Sequence, residues 1–208
     1  MMNPWLSIPL SDYEAHMALP EVGQAQMLAD VLAGQLDIRR PASLAVIGCA
    51  GGNGFDRIAP EVTRRVVGVD LNGRYLDEVR SRYAARFEQL ELVEADIQAA
   101  AGAFAPVDLI YAALVLEYVE VEPVVMQLSA MLNPGGTLVT VVQLPDANLS
   151  AVTPSSHASL EPLAAVMHFV APKDLRISAD FAGLRQISSA KRRTQSGKQF
   201  QVQVFRPR

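Results

Sequence analysis

The stretch that decides the fold runs from Leu44 to Asp70 and begins Leu-Ala-Val-Ile-Gly-Cys-Ala-Gly-Gly-Asn-Gly-Phe. Its first four residues are apolar, which is typical of a strand buried on both faces in a parallel sheet. Four glycines follow within seven positions, and they are Gly48, Gly51, Gly52 and Gly54. Because glycine lets the backbone turn sharply and come close to a ligand, we expect a ligand-binding loop here.

The residues after this loop predict a βαβ unit. Phe55 to Ala59 is expected to begin a helix whose first N–H groups point back at the loop. A second apolar strand, 65–69, ends in Asp70, whose carboxylate can accept hydrogen bonds from both hydroxyls of a ribose. The unit therefore predicts a site for a nucleoside-bearing cofactor, with Asp70 and the adjoining Leu71 in contact with it.

The composition limits the classes of function. The chain has 208 residues, of which half are apolar, so we expect a single domain over 1–208. A net charge of −4 disfavours a nucleic-acid partner. No segment is long enough to span a membrane and no secretion signal is recognised, while the single cysteine, Cys49, excludes an internal disulfide. We therefore expect a cytoplasmic protein, either a monomer or a homodimer.

Later apolar runs predict five more strands, over residues 90–97, 106–111, 137–142, 184–190 and 199–205. The connection between the last two is tight and basic, running from Lys191 to Lys198. These two strands should therefore be antiparallel, with the basic turn as a solvated tip.

The glycine loop narrows the choice of cofactor. In the nicotinamide fingerprint G-x-G-x-x-G the second glycine would fall on Ala50, so the match fails. Residues 46–54 instead resemble the first motif of class I S-adenosylmethionine-dependent methyltransferases, and the Leu-x-Pro-Gly-Gly turn at 132–136 is also typical of that family. One departure is Val46, which stands where the family usually carries an acidic residue.

This resemblance implies an α/β fold: a Rossmann-like, doubly wound, mostly parallel seven-stranded sheet with a C-terminal antiparallel hairpin and an N-terminal helical lid from residues 1–40. It implies S-adenosylmethionine as cofactor and S-adenosylhomocysteine as product. The residues expected to contact the cofactor are Gly48, Cys49, Ala50, Gly52, Gly54, Phe55, Asp70, Leu71, Asp96, Ile97, Ala112 and Tyr13. In the family an acid at Asp96 accepts from the adenine amine, but Asp96 could equally cap a helix over 97–101.

The substrate side is less clearly marked. Residues 144–172 are rich in proline and follow the carboxyl end of a strand. They predict either a cap on the substrate side of the site or a loop that only packs against the protein surface. The histidines there, His157 and His168, are too far apart in sequence to predict a metal site. On the lid, Tyr13 and His16 could face the pocket, or Tyr13 could only pack while His16 is solvated. Candidates for a general base or an orienting group are Glu117, Tyr118, Gln143, Tyr13 and the two cap histidines.

The sequence therefore predicts methyl transfer to a small-molecule acceptor by direct displacement, which depends mainly on positioning and exclusion of water. The principal alternative is a non-catalytic protein of the same fold that binds S-adenosylmethionine or S-adenosylhomocysteine. An RNA or protein methyltransferase and an NAD oxidoreductase are further alternatives.

Overall fold

A computed structural model describes residues 3–208 and contains one seven-stranded sheet. The strands are β1 (Ser43–Ile47), β2 (Arg65–Asp70), β3 (Gln89–Glu94), β4 (Val107–Ala113), β5 (Leu132–Gln143), β6 (Leu184–Arg193) and β7 (Gln199–Pro207). Their order is β3-β2-β1-β4-β5-β7-β6, and every neighbouring pair is parallel except those made by β7. The predicted fold class is confirmed, including the antiparallel C-terminal hairpin.

Helices cover both faces of the sheet. They are α1 (Leu10–Ala18), α2 (Gln24–Arg39), α3 (Gly73–Tyr83), α4 (Val121–Ala130), α5 (Leu163–Val166) and α6 (Pro172–Phe181). In β1, Leu44 and Val46 pack on the face of α2 and α3, while Ala45 and Ile47 pack on the face of α4 and α6. All five residues of β1 are buried, because both faces of this central strand are covered.

The prediction that a helix begins at Phe55 is wrong. The chain makes only a short 3-10 turn, Phe55–Arg57, before it reaches β2. A Cβ added to Gly54 would lie 3.1 Å from Leu32 and 3.4 Å from Ala29, so α2 already occupies this part of the face. Pro60 follows closely and has no N–H to continue a helix. A helix that precedes β1 therefore replaces the expected crossover helix.

The N-terminal segment is hydrogen-bonded to the second half of the βαβ-like unit. Asn72 Nδ2 donates to the Trp5 carbonyl over 2.9 Å, and Tyr75 Oη donates to the Ile8 carbonyl over 2.9 Å. Arg82 pairs with Glu14 on α1. These contacts hold α1 and the turn before it over the carboxyl ends of the parallel strands.

The helix predicted over 97–101 is absent, since these residues form turns. The cap region contains a 3-10 turn, Ala158–Leu160, and the four-residue α5. Ile8, Leu160 and Leu163 form a small hydrophobic cluster that joins the N-terminal segment to the cap region. None of the helices within 3–208 combines the length and apolar character that crossing a bilayer requires.

Candidate active site

The first of two neighbouring cavities is partly open and lies at the carboxyl ends of β1, β2 and β4, with a volume of about 730 Å³ when the adjoining solvent space is included. We call it the Asp70 cavity, after the acid at the end of β2. It lies where the sheet order reverses between β1 and β4, which is the usual ligand position in doubly wound sheets.

Asp70 is the polar centre of this cavity. Its Oδ2 accepts a hydrogen bond from the Ala50 N–H over 2.8 Å, and its Oδ1 accepts one from the Asn72 N–H over 2.9 Å. Burial raises the pKa of Asp70, and these backbone N–H groups oppose that rise. A carboxylate offers about four lone-pair positions. Asp70 can therefore hold the loop and still accept two hydroxyl groups from a ligand.

The backbone beside this acid is strained. Within residues 3–208 three non-glycine residues have positive φ, namely Arg40, Ala50 at 46° and Leu114 at 57°. Two of them, Ala50 and Leu114, line the Asp70 cavity. Such conformations cost free energy and concentrate at functional sites. The Ala50 N–H donates a hydrogen bond to the Asp70 carboxylate, and the Leu114 N–H donates one to the Val141 carbonyl over 2.9 Å. These hydrogen bonds hold both residues in the strained conformation.

The structure brings seven of the predicted cofactor-contacting residues to the Asp70 cavity, and they are Gly48, Ala50, Asp70, Leu71, Asp96, Ile97 and Tyr13. Asp96 makes a turn there rather than a helix cap, since its Oδ1 accepts from the Gln98 N–H over 2.9 Å.

The other five do not line this cavity. Cys49, Phe55 and Ala112 are buried in the core, and burial raises the pKa of the Cys49 thiol. Gly52 and Gly54 line a separate open cleft near Arg82. A Cβ on Gly52 would come within 2.8 Å of Tyr83, so close packing explains this glycine.

The second cavity is partly open and lies between α1, the end of β5 and the cap region, with a volume of about 540 Å³ when the adjoining solvent space is included. We call it the Glu117 cavity. Its apolar lining comes largely from the N-terminal segment and the cap, and includes Trp5, Met17, Val152, Leu160, Leu163 and Met167. Its polar lining comprises His16, Gln24, Glu117, Gln143, Thr153 and Lys198, with the hydroxyls of Tyr13 and Tyr118.

Glu117 is almost completely enclosed, with 1% of its surface exposed. Its Oε1 accepts a hydrogen bond from the Gln143 N–H over 2.7 Å, while its Oε2 has no partner among residues 3–208. Burial raises the pKa of Glu117 to about 7, with hydrogen bonds from the backbone acting in the opposite direction. A carboxylate with this pKa can accept and release a proton near neutral pH.

The two cavities meet at a small group of shared residues, which are Trp5, Tyr13, Leu114 and Tyr118. The ring centroid of Trp5 lies 5.5 Å from that of Tyr13 and 5.1 Å from that of Tyr118, edge to face in both pairs. Burial raises the pKa of both tyrosines, which keeps their hydroxyls protonated. These four residues form the wall that the two cavities share, which we call the aromatic junction.

The remaining candidates are placed as follows. Tyr13, Glu117, Tyr118 and Gln143 line the Glu117 cavity, as does His16. Neither cap histidine lines either cavity. The Nδ1 atom of His157 lies 3.8 Å from Oδ1 of Asp12. The side chain of His168 is exposed, and its backbone N–H donates to the Glu117 carbonyl over 2.9 Å.

Sequence reasoning missed two residues of the site. Trp5 was not among the predicted site residues, yet it lines both cavities. Lys198 was expected at a solvated hairpin tip, but it is 4% exposed and lines the Glu117 cavity. A signal for Lys198 was its position directly before β7, because an antiparallel partner of β5 must begin where β5 ends. For Trp5 no comparable local signal exists.

Comparison with known proteins agrees with this geometry. A family model described as a methyltransferase domain matches residues 45–136. The chain contains a methyltransferase domain. The match begins in β1 and includes the glycine loop, Asp70, Glu117 and the Pro-Gly-Gly turn, whereas Trp5 and Lys198 fall outside it. The predicted resemblance to class I methyltransferases is confirmed. A search of curated protein sequences found no match.

Solved structures share the fold of this methyltransferase at low identity. The N-methyltransferase NodS from Bradyrhizobium japonicum, in complex with S-adenosyl-L-homocysteine, is 20% identical with a TM-score of 0.67, and the match covers 88% of this chain and 87% of NodS. Magnesium protoporphyrin IX methyltransferase ChlM from Synechocystis, with bound S-adenosylhomocysteine, is 14% identical with a TM-score of 0.68, covering 90% and 84%.

A third match limits what the fold alone implies. The (4+2)-cyclase SpnF is 13% identical with a TM-score of 0.68, covering 87% of this chain and 80% of SpnF. Since proteins named for different reactions share this architecture, the reaction must be argued from the site.

Proposed function

We propose that this methyltransferase binds S-adenosylmethionine in the Asp70 cavity and transfers its methyl group to a small-molecule acceptor in the Glu117 cavity. The observation that carries the proposal is the junction of the two cavities at Trp5, Tyr13, Leu114 and Tyr118. A cofactor site alone would not need a second enclosed cavity that contains an unpaired carboxylate oxygen.

The residues of the Asp70 cavity fit the proposed cofactor. Asp70 has acceptor capacity left for the two ribose hydroxyls after it binds the Ala50 and Asn72 N–H groups. Leu71 and Ile97 supply apolar surface for a base, and Asp96 stands beside Ile97 with a carboxylate for an exocyclic amine. Val46 is buried in the core, so no acidic side chain at that position contributes.

The chain's own residues orient the acceptor and take its proton. S-adenosylmethionine supplies, when bound, a methyl group on a sulfonium whose departure leaves a neutral thioether. The Gln143 N–H holds Glu117 Oε1, which leaves Oε2 free to accept the proton that an acceptor hydroxyl or ammonium gives up. The aromatic junction excludes water from the space between the two ligands.

The shape of the Glu117 cavity favours a small molecule over RNA or protein. It is bounded by α1 on one side and by the cap on the other, and Leu160 and Leu163 are buried between them. The chain's net charge of −4 also disfavours RNA. We further propose that the chain acts as one domain in the cytoplasm, since one continuous sheet spans residues 43–207 and Cys49 is a free, buried thiol.

The test uses S-adenosylmethionine that carries a labelled methyl group, incubated with the protein and an extract of the cells that express it. We expect the label in small molecules, together with release of S-adenosylhomocysteine. Label in RNA or protein would overturn the acceptor class. Calorimetric binding of S-adenosylhomocysteine with no transfer to any fraction would establish the non-catalytic alternative.

A further inference from the structure

Lys198 is a buried cation with unused hydrogen-bonding capacity. Its Nζ donates to the Ala151 carbonyl over 2.7 Å, and within residues 3–208 no carboxylate forms an ion pair with it. An ammonium group has three N–H donors, so two remain for another partner. Lys198 lines the Glu117 cavity, where a bound ligand would meet those donors.

The hairpin geometry fixes Lys198 in this position. Gln143 at the end of β5 pairs with Phe200 near the start of β7, and the Leu144 N–H donates to the Gln199 carbonyl over 2.8 Å. The residue just before β7 is therefore carried to the carboxyl end of β5. The site depends on the sheet rather than on a surface loop.

A second observation points to a missing ligand. Thr153 Oγ1 and Glu117 Oε2 are buried in the cavity lining, and the part of the chain that the structure describes offers neither of them a hydrogen-bond partner. Buried polar atoms are normally paired, so each unpaired one calls for an explanation. Gln143 lies between Glu117 and Lys198. Its backbone N–H donates to Glu117, and its Nε2 donates over 3.0 Å to the Ala151 carbonyl, which also accepts from Lys198.

The charges in the cavity define the missing partner. The other titratable groups in its lining are His16, Glu117, Tyr13 and Tyr118. Burial and the nearby Lys198 lower the pKa of His16, which leaves its imidazole neutral at pH 7. Burial lowers the pKa of Lys198 to about 8, so its ammonium form still predominates at pH 7. At pH 7 the charges in this lining are therefore the Lys198 ammonium and the partly ionised Glu117 carboxylate, and the ammonium is the group that can bind an anion.

We propose that the methyl acceptor carries a carboxylate that binds the Lys198 ammonium group in the Glu117 cavity. The nucleophilic hydroxyl or amine of the acceptor then faces Glu117 and the junction with the Asp70 cavity. The body between these two groups is apolar, because Val152, Leu160 and Leu163 face it. The identity of the bound molecule as an acceptor rests on the proposed function, whereas binding of the carboxylate does not.

The test uses benzoate and its neutral isostere benzamide as probes. Trp5 is the single tryptophan and lines both cavities, so its fluorescence reports binding in either. We expect benzoate to bind at least about tenfold more tightly than benzamide, since hydrogen bonds to charged groups are the strong ones. Lys198→Met should remove this preference, while Lys191→Met, at an exposed position of β6, should retain it.

Equal binding of the two probes, binding of neither, or an unchanged preference in Lys198→Met would overturn the proposal. A purely structural role through Ala151 would not make the preference depend on pH. We expect benzoate binding to weaken as the pH rises above about 8, where Lys198 loses its proton. Titration of the wild type with S-adenosylhomocysteine separates the two proposals. If the wild type does not bind this ligand, only the proposed function is contradicted.

Discussion

The Asp70 cavity lies at the ends of three strands and is lined by residues between Asn3 and Val119, whereas the Glu117 cavity is lined by residues from Trp5 to Lys198. They also differ in how their acids are held. Asp70 accepts two backbone N–H groups across its two oxygens, while Glu117 has one oxygen without a partner. The Asp70 cavity is built around strand ends of the shared fold, whereas the Glu117 cavity is lined largely by side chains from the N-terminal segment and the cap region.

This difference predicts which property a substitution in each cavity should change. A fixed carboxylate that hydrogen-bonds a ribose should control affinity for the cofactor. A buried carboxylate with a free oxygen and a raised pKa should control the rate of transfer. Substitutions in the Asp70 cavity should therefore leave the rate of transfer by the cofactor-bound protein almost unchanged. Substitutions in the Glu117 cavity should leave the affinity for the cofactor almost unchanged.

The largest expected effect is on the rate. Glu117→Gln should lower kcat for methyl transfer by about 100-fold or more, because an amide cannot accept the acceptor's proton. The dissociation constant for S-adenosylhomocysteine should stay within about twofold, since Glu117 does not line the Asp70 cavity. Steady-state kinetics and calorimetry on the same variant check both values. Retention of kcat would remove Glu117 as the base.

The reverse pattern is expected for Asp70→Ala. Loss of hydrogen bonds from two ribose hydroxyls to a charged group should weaken binding of S-adenosylhomocysteine by about 100-fold. Asp77→Ala, at an exposed position of α3, is the matched control and should bind like the wild type. Benzoate binding by Asp70→Ala should persist, which shows that the variant is folded. Unchanged affinity for S-adenosylhomocysteine would place the cofactor elsewhere.

The rate should also depend on pH in a defined direction. The pKa of Glu117 is raised to about 7, and only its ionised form can act as a base. With an acceptor that does not titrate between pH 5 and 9, kcat should fall about tenfold per pH unit below pH 7 and level off above it. A profile that is flat across pH 7 would contradict this role.

A smaller effect is expected on stability. Between pH 4.5 and about 7 the unfolded chain releases the Glu117 proton while the folded chain keeps it, so this group lowers the free energy of unfolding as the pH rises. Glu117→Gln should therefore be more stable than the wild type at pH 8, by at most about 3 kcal/mol, with little difference at pH 4.5. Urea denaturation at both values tests the sign. A variant that is less stable at pH 8 would show that the buried charge is not costly.

The smallest effect should follow Glu14→Gln. Glu14 pairs with Arg82, which also donates to the Gly51 carbonyl over 3.1 Å, and this ties α1 to the glycine loop. Both partners are about 40% exposed, so solvent screens the pair. The dissociation constant for S-adenosylhomocysteine should rise by no more than about fivefold. A loss as large as that of Asp70→Ala would show that the lid, rather than the strand ends, dominates cofactor binding.

The sequence predicted the strand ends well because local patterns encode them. An apolar run, a glycine loop and an acid at the end of the next strand are sufficient to place Asp70 and Ala50 at one edge of a parallel sheet. The helix expected from Phe55 failed because a distant element, α2, fills that part of the sheet face. Local propensity contains no information about such competition between elements.

The Glu117 cavity was harder to predict for the same physical reason. The antiparallel pairing of β7 with β5 brings Lys198 to Ala151, and the hydrogen bond from Asn72 to the Trp5 carbonyl helps to hold Trp5 at the junction. Each contact joins residues far apart in the chain, so no spacing in the sequence marks it. Glu117 was among the candidates, but its burial and its unpaired oxygen are properties of the folded protein alone.

The most direct measurement is a crystal structure of the protein with S-adenosylhomocysteine bound. The ribose hydroxyls should lie about 2.5–3.0 Å from the Asp70 carboxylate. The sulfur atom should lie at the junction formed by Trp5, Tyr13, Leu114 and Tyr118, facing the Glu117 cavity. A ligand bound in the open cleft beside Gly52 and Arg82, or a sulfur turned away from the junction, would contradict the assignment of the two cavities.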